Sequence, residues 1–514
     1  MLGYIEEVYG IAVEKREKVM PIQIYNTLTR KKEPFVPRDA GRVSIYVCGI
    51  TPYDESHLGH AVPSIIWDAI RRFLEYRGYQ VRLIQNFTDV DDKVIARAQQ
   101  TGEDVLEISS RYAQEYLEAM DALGVKRADV YPRVSQEIPA IIEMVDGLIE
   151  KGHAYVVDGD VYFDVTTFAE YGKLSGQRLD ELEEGTRLAV DERKRHAMDF
   201  ALWKSAKPQE PAWESPWGKG RPGWHIECSA MALKYLGNHF DLHGGGVDLV
   251  FPHHENEVAQ SEAYSGTPPF ASCWVHNGLL HVKDEKMSKS LGNFTPLTEL
   301  LEKYPAGAIR FYVLSSHYRS PLQYSEEKLA EALRGWERLQ NAVTNLEHLM
   351  VSVSQTEVSR GGGIRPLGES AVPAIKQLVE AVTSAQTKFV AAMEDDFNTA
   401  SAVAALFELV RSLNTFEAQL ADLTEDERRE SFPALQAAAK VFDQLGGDVL
   451  GLVDSARSAS GSQELLGELI ELLIAVRQQA RAQKNWATAD FIRDELARLG
   501  VKLEDSPLGT RWRL

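Results

Sequence analysis

His57-Leu58-Gly59-His60 and Lys286-Met287-Ser288-Lys289-Ser290 carry the residue types that hold and polarise a polyphosphate. The first motif opens a helix after a strand and sets two imidazoles at its N-terminus, where backbone N–H groups point outward and the dipole favours anions. The second sets two cationic amines on a short segment of small, flexible residues. A third constellation is scattered along the chain. Cys48, Cys228, His253 and Glu257 supply two thiols, an imidazole and a carboxylate, a donor set suited to Zn2+. His253 and Glu257 stand four apart after Pro252, a residue suited to a first helical turn, so the pattern predicts both on one helix face. There is no paired Cys-x-x-Cys. The competing reading is that two of the three cysteines (Cys48, Cys228 and Cys273) are small core residues; Cys273 is expected to be a buried strand residue without a role.

These groups need a scaffold, and the pattern around them supplies one. Val43 to Val47 reads as a buried strand, and Cys48 to Ser56 as its connecting loop. Ile65, Ile66, Ala69, Ile70, Phe73 and Leu74 recur at helical spacing, Gly78 stops the helix, and Val81 to Ile84 is the next strand. This β-α-β unit predicts an α/β protein with a doubly wound parallel sheet, Rossmann-like, whose ligands bind beyond the carboxyl ends of the strands. The expected organisation is an extension over 1–20 and a catalytic domain over 21–129 and 215–270. An inserted connective subdomain follows over 130–214, then a lysine-loop junction over 271–335. A helical bundle over 336–455 and a small C-terminal domain over 464–514 complete it. Ser352 to Gly368 and Asp454 to Gln463 read as linkers.

Composition excludes several classes. A 514-residue chain with 44% hydrophobic and 26% charged residues suits a multidomain globular protein. There is no run of about 20 apolar residues, so no membrane helix is expected, and the acidic N-terminus lacks a signal-peptide core. Three cysteines make no disulfide framework and fit a cytoplasmic protein. A net charge of −20 weighs against indiscriminate nucleic-acid binding, so any RNA contact must come from local patches.

The order and separation of the histidine and lysine motifs resemble the paired ATP signatures of class I aminoacyl-tRNA synthetases. Tyr46-Val47-Cys48-Gly49, Asn86 to Lys93, Gly223 to Cys228, His243 to Gly246, Phe251 to Glu257, Asp395 to Thr399 and the ending Gly509 to Arg513 together resemble the cysteinyl-tRNA synthetase family, from about Ile22 to the C-terminus. The resemblance implies Zn2+ on Cys48, Cys228, His253 and Glu257, binding the thiol of L-cysteine directly. It implies ATP, accompanied by Mg2+, on His57, Gly59, His60, Lys286 and Lys289. Thr88, Trp224 and His243 would line the cysteine pocket; core packing for Trp224 and a backbone-bonded turn for His243 are the alternatives. Asp248 would contact the nucleotide or cap a helix. In the implied first step, the amino acid's carboxylate attacks the α-phosphate of ATP, a reaction that demands positioning and charge stabilisation rather than a strong base. A free thiol ionises near pH 8.5, and a metal readily strips its proton, so a thiolate–metal bond rejects serine. Four protein ligands ordinarily make a closed structural site, so this reading needs a fifth position or a loosened Glu257.

The implied second substrate is tRNA(Cys), charged by a cytoplasmic monomer. One departure touches it. The family usually reads Pro-Thr-Val after the first Cys-Gly, and this chain has Ile50-Thr51-Pro52, which resembles a paralogue joining cysteine to a glucosaminyl-inositol amine. A non-catalytic tRNA-binding paralogue with structural zinc is a third class, which the intact histidine and lysine motifs oppose. Between Arg477 and Arg513 there are eight Lys/Arg against five Asp/Glu, with Trp486, Phe491 and Trp512 among them. That unit would read an anticodon by phosphate contacts and stacking, although core packing is the expectation for each ring alone.

Overall fold

The computed structural model describes residues 21–179, 192–282, 285–286, 295–354, 370, 372–453, 469–470, 472–481, 483–499, 501–506 and 509–513. Two compact units divide at Val453/Asp454. In the first, a hairpin (β1 Gln23–Asn26, β2 Lys31–Pro34) precedes β3 (Arg42–Val47), α1 (Leu58–Tyr76) and β4 (Gln80–Gln85). The amphipathic spacing of α1 buries Leu58, Val62, Ile65, Ile66, Ile70 and Phe73 against the sheet. Gly78 turns the chain at φ +89, a conformation that costs a residue without Cβ little. Helices α2 (Asp92–Thr101), α3 (Val105–Ala122) and α4 (Ile138–Glu150) follow.

An inserted antiparallel sheet then forms from β5 (Ala154–Val157), β6 (Asp160–Phe163), β7 (Phe200–Ser205) and β8 (Gly220–Pro222). Residues 208–222, expected as loop, thus end in an edge strand. The chain returns through α5 (Trp224–Leu236), β9 (Phe240–Gly246), α6 (Glu255–Ser265) and β10 (Ala271–Asn277), whose buried Cys273 is a strand residue. The main sheet is parallel with strand order β10-β9-β3-β4. From β3 the chain moves outward to β4 in one direction, and β9 to β10 builds in the other. The topological switch point therefore lies between β3 and β9, the place where such sheets take ligands. Cys48 follows β3 there, beside Gly244 to Gly246 at the end of β9.

A small sheet of β11 (Leu280–Val282), β12 (Glu285–Lys286) and β13 (Leu322–Tyr324) flanks α7 (Leu297–Lys303) and α8 (Ala306–Leu314). The helical region comprises α9 (Glu326–Ser354), α10 (Pro373–Glu394), α11 (Thr399–Gln419), α12 (Glu425–Glu430) and α13 (Phe432–Val441). Ser352 to Ser354, read as linker, continue α9, and residues 355–369 lie outside the described set. Buried Arg310 of α8 ties this region to α1. Its Nη2 donates to Asp68 Oδ2 at 2.7 Å, and its Nε and Nη2 donate to Leu450 O at 3.1 and 2.7 Å. A buried guanidinium needs such a full set of acceptors. Asp396 acts likewise at the other side: it accepts from the Tyr25 backbone, the Tyr318 hydroxyl and Arg319 Nε at 2.8, 2.8 and 2.7 Å.

The second unit contains α14 (Trp486–Arg498) and a hairpin of β14 (Lys502–Ser506) and β15 (Gly509–Arg513). Trp486 and Phe491 are 57% and 65% exposed. Core packing is therefore corrected for these two rings, since Ile470, Ile474, Leu496 and Val501 make that small core instead; the Trp512 side chain lies outside the described residues. Among the described residues no helix is long and apolar enough to cross a membrane.

Candidate metal centre and nucleotide site

Three segments meet at the switch point. One ligand atom from each of Cys48, Cys228, His253 and Glu257 lies within 4.8 Å of every other. Cys48 Sγ stands 3.7 Å from Cys228 Sγ, 3.6 Å from His253 Nε2 and 3.4 Å from Glu257 Oε1. His253 Nε2 lies 3.0 Å from Glu257 Oε1. A tetrahedral zinc with Zn–S of about 2.3 Å and Zn–N or Zn–O of about 2.0–2.2 Å sets its ligands roughly 3.3–3.8 Å apart. The donor set and the sulfur distances of 3.7, 3.6 and 3.4 Å fit that ion, while His253 and Glu257 are drawn to hydrogen-bond distance, slightly closer than two ligands of one ion. Both cysteines are free thiols, and the two-small-core-residues reading does not explain a carboxylate and an imidazole buried between them.

The helix expected around Pro252 needs a correction. Phe251 is extended (φ −136, ψ 133), so residues 250–254 form one irregular turn and regular helix begins at Glu255. His253 and Glu257 still converge, because the turn continues into α6 from His253 onward. The irregular turn also brings in a residue that sequence reading missed. His254 Nε2 lies 3.3 Å from Cys48 Sγ, and its Nδ1 lies 2.7 Å from His276 Nε2. Cys48, His243, His254 and Glu257 make a second group that satisfies the same ligand spacing. The doubled His253-His254 was the available signal: neighbouring residues on a turn face different directions, and both find partners.

Second partners orient these groups. His243, on β9 and paired in register with Tyr46 and Trp274, bonds through Nε2 to Glu257 Oε2 at 2.9 Å and stacks on Trp274 at 4.2 Å. It is a strand residue, so the alternative of a backbone-bonded turn does not describe it. His225 Nδ1 faces His253 Nδ1 at 3.0 Å. Trp224 heads α5, stacks on His253 at 4.3 Å and is 39% exposed, so it is a half-open lid on the cluster rather than core filling. Thr88 is buried two residues after Asn86, whose Nδ2 donates to its Oγ1 at 3.2 Å; Asn86 Oδ1 accepts from Gly49 N at 2.9 Å. Gly49 approaches so closely that a Cβ there would overlap the Asn86 carbonyl.

Burial and charge set the protonation of the cluster. The hydrogen bond from Cys48 lowers the Cys228 thiol to about 6 against the cost of burial, with help from His253. Cys48 is pushed well up by burial and by its anionic neighbours. Burial would raise Glu257, but His243 and His253 outweigh it and hold the carboxyl at about 2. Burial would lower His253, yet Glu257 and Cys228 lift it to about 10. Without a cation the surroundings thus favour one thiolate and one carboxylate balanced by a protonated His253, and a divalent cation would bind by displacing the His253 and Cys48 protons.

His57 and His60 stand at the start of α1. His57 takes the N-cap position, but its side chain makes no capping bond. The two rings stack at 3.9 Å. A Cβ on Gly59 would lie 2.9 Å from the His57 ring, so glycine makes room for that pair. The first-turn N–H groups of α1 and two imidazoles therefore share one corner. Lys286 lies on β12, opposite His281; its side chain and all of Lys289 lie outside the described residues. Asp248 falls in a short turn, Val247–Leu249, directly after β9.

Comparison with known proteins agrees with this architecture. Residues 34–334 match the family described as tRNA synthetases class I (C) catalytic domain, 388–454 a DALR domain, and 465–513 a cysteinyl-tRNA ligase anticodon binding domain. A cysteine–tRNA ligase of Heliobacterium modesticaldum is 50% identical over 494 residues, 96% of this chain and 100% of that one. One of Carboxydothermus hydrogenoformans is 51% identical over 493 residues, with 96% and 100% covered. Methionyl-tRNA synthetase of Mycobacterium tuberculosis, solved with methionyl-adenylate, shares the fold at TM-score 0.60 and 16% identity, over 79% of this chain and 91% of that one. A LeuRS–tRNA–LeuAMS complex of Agrobacterium radiobacter does so at TM-score 0.60 and 12% identity, over 81% and 85%. A switch-point cluster, a histidine pair at a helix start and full-length matches at half identity lead to one assignment: the chain belongs to the cysteinyl-tRNA ligase family of class I tRNA synthetases.

Proposed function

We propose that this protein activates L-cysteine with ATP and transfers it to tRNA(Cys). The observation that carries the reading is the convergence of Cys48, Cys228, His253 and Glu257 on one point at the carboxyl end of β3, the strand that precedes α1. Zinc held by those four residues would supply a soft Lewis acid that favours a deprotonated thiol over serine's hydroxyl. His243 holds Glu257 by its second oxygen and so fixes how far that carboxylate reaches into the cluster. Trp224 covers His253 and limits water at the site. His57, His60 and the N–H groups of α1 receive the α-phosphate and the charge that develops on it, while Gly59 keeps the corner open. Lys286 and Lys289 neutralise the remaining phosphates, with Mg2+ accompanying ATP. The expected setting is a cytoplasmic monomer, with the helical region and the second unit contacting tRNA.

A cysteine ligase acting on a glucosaminyl-inositol amine is the rival suggested by Ile50-Thr51-Pro52, since the Ile50 carbonyl accepts from Thr88 N at 3.1 Å and so borders the same pocket. Offering the protein cysteine, ATP and either a tRNA(Cys) transcript or the amino sugar separates the two. Charging of the transcript alone is expected. Coupling to the sugar alone would overturn the tRNA reading.

A further inference from the structure

Asn86 is the first residue after β4 and stands beside Cys48, because β3 and β4 pair in parallel with Val47 opposite Gln85. It is fully buried. Its amide is satisfied at both ends. Oδ1 accepts from Gly49 N at 2.9 Å and lies 3.8 Å from Cys228 Sγ, and Nδ2 donates to Thr88 Oγ1 at 3.2 Å. A backbone N–H only donates, so the oxygen of the amide must face Gly49 and its nitrogen must face Thr88. The Thr88 hydroxyl therefore accepts, and its own proton is left over. Thr88 is 3% exposed, yet that proton reaches no acceptor among the described residues. A buried hydroxyl without a full set of partners calls for a reason. Bonds on both sides hold the segment in place. Thr88 N donates to Ile50 O at 3.1 Å, Phe87 N donates to Pro132 O at 2.9 Å, and Asp89 Oδ1 accepts from Ser135 N at 3.0 Å. One amide thus joins the metal cluster to a hydroxyl whose proton is uncommitted.

We infer that Asn86 is a positioning residue that sets the polarity of the Thr88 hydroxyl, so that Thr88 donates its proton to the carboxylate of the bound amino acid. The inference rests on the proposed function and deepens it, since it gives an orienting contact to a group that the metal does not hold. Cysteine offers three polar groups. Its thiol belongs to the cluster, its ammonium has no lone pair to accept a hydrogen bond, and its carboxylate only accepts. A free donor beside the cluster therefore matches the carboxylate. It also suits the reaction. One carboxylate oxygen must attack phosphorus, and a donor on the other fixes which oxygen is free to do so. The carboxylate loses charge as it attacks, so the contact is stronger in the ground state, and its loss raises KM more than it lowers kcat. Asn86 acts through Thr88 alone: by filling one lone pair of the hydroxyl it turns the proton away from itself.

The test uses the full-length zinc-loaded protein as wild type, Asn86→Asp, Asn86→Ala, Thr88→Val, Thr88→Ser and the double variant of Asn86→Asp with Thr88→Val. It measures cysteine-dependent ATP–pyrophosphate exchange, zinc content, and competitive inhibition by cysteamine, which keeps the thiol and the ammonium and lacks the carboxylate. In Asn86→Asp one oxygen still accepts from Gly49 N, while the other takes the Thr88 proton and reverses that bond. This variant is expected to raise KM for cysteine about 10-fold or more, as for loss of one charge-assisted bond, with kcat changed less than about 3-fold and zinc unchanged. Thr88→Val should match it, and Thr88→Ser should keep a KM near the wild-type value. Asn86→Asp should add little in the Thr88→Val background, because the two residues act as one unit. Asn86→Ala, with the hydroxyl free to rotate, should fall between wild type and Asn86→Asp. The cysteamine inhibition constant should stay at the wild-type value throughout. An unaltered KM in Asn86→Asp, an undiminished effect of that change in the Thr88→Val background, a cysteamine constant that rises with KM, or loss of zinc from both Asn86 variants would each overturn the assignment. A wild-type protein without cysteine-dependent exchange would instead refute the proposed function, whatever Asn86 does.

Discussion

Two groups of histidines in this molecule do opposite things with the same ring. His57 and His60 come from one turn of chain, stack at 3.9 Å and sit at the start of α1. His225, His243, His253, His254 and His276 come from four separate segments and surround two thiols and a carboxylate, each bonded to another member of the set or to Glu257. The first pair borrows its electrostatics from a helix terminus, which any helix provides. The second set makes its own: burial drives His254 and His276 towards the neutral form, His276 to about 3, while Glu257 and Cys228 keep His253 protonated to about 10. Local sequence is enough to build an anion corner. Selecting a metal takes long-range folding.

That contrast can be broken by substitution. Cys228→Ser should remove zinc and cut cysteine-dependent exchange by at least ~100-fold, because changes to outer partners alone cost about 10–100-fold. His60→Ala should lower adenylate formation by about 100–1,000-fold, the usual loss for one oxyanion donor, while zinc content stays at the wild-type value. Metal analysis alongside exchange kinetics reads both. Loss of zinc in the His60 variant would merge the two groups into one unit and erase the distinction drawn here.

A smaller effect sharpens it. Cys228 titrates at about 6, below an ordinary thiol. Its thiolate is therefore present above pH 6 and is lost as pH falls through that value, when protons compete with the metal. Zinc retained after dialysis at pH 5 should be several-fold less than at pH 7.5, with little change between pH 7 and 8. Equal retention at both ends would mean that Cys228 is not a ligand.

The same contrast explains what the sequence could show. Strand β3, helix α1 and strand β4 were legible because periodicity and Gly78 are local signals, and the His57–His60 corner was legible with them. The metal set was not, since Cys48 and Glu257 lie 209 residues apart in the chain. No spacing rule spans that distance: the residue types suggest a donor set, and only the resemblance to a family ties these four to one ion. His254 and His276 escaped notice because their meaning depends on strand register and on an irregular turn that Phe251 imposes. Trp486 and Phe491 were misjudged because a small unit of 61 residues or fewer has room for few core rings, and aliphatic side chains fill it. Asp396 was visible as part of a motif, but its work of joining the hairpin to the helical region appears only in three dimensions.

The most direct test of the metal account is zinc K-edge absorption spectroscopy of the purified protein, alone, with cysteine and with serine. Cys48 and Cys228 predict two sulfur scatterers in the free protein, a third on adding cysteine, and no change with serine. Two sulfurs throughout, in a protein that still activates cysteine, would contradict selection by the metal.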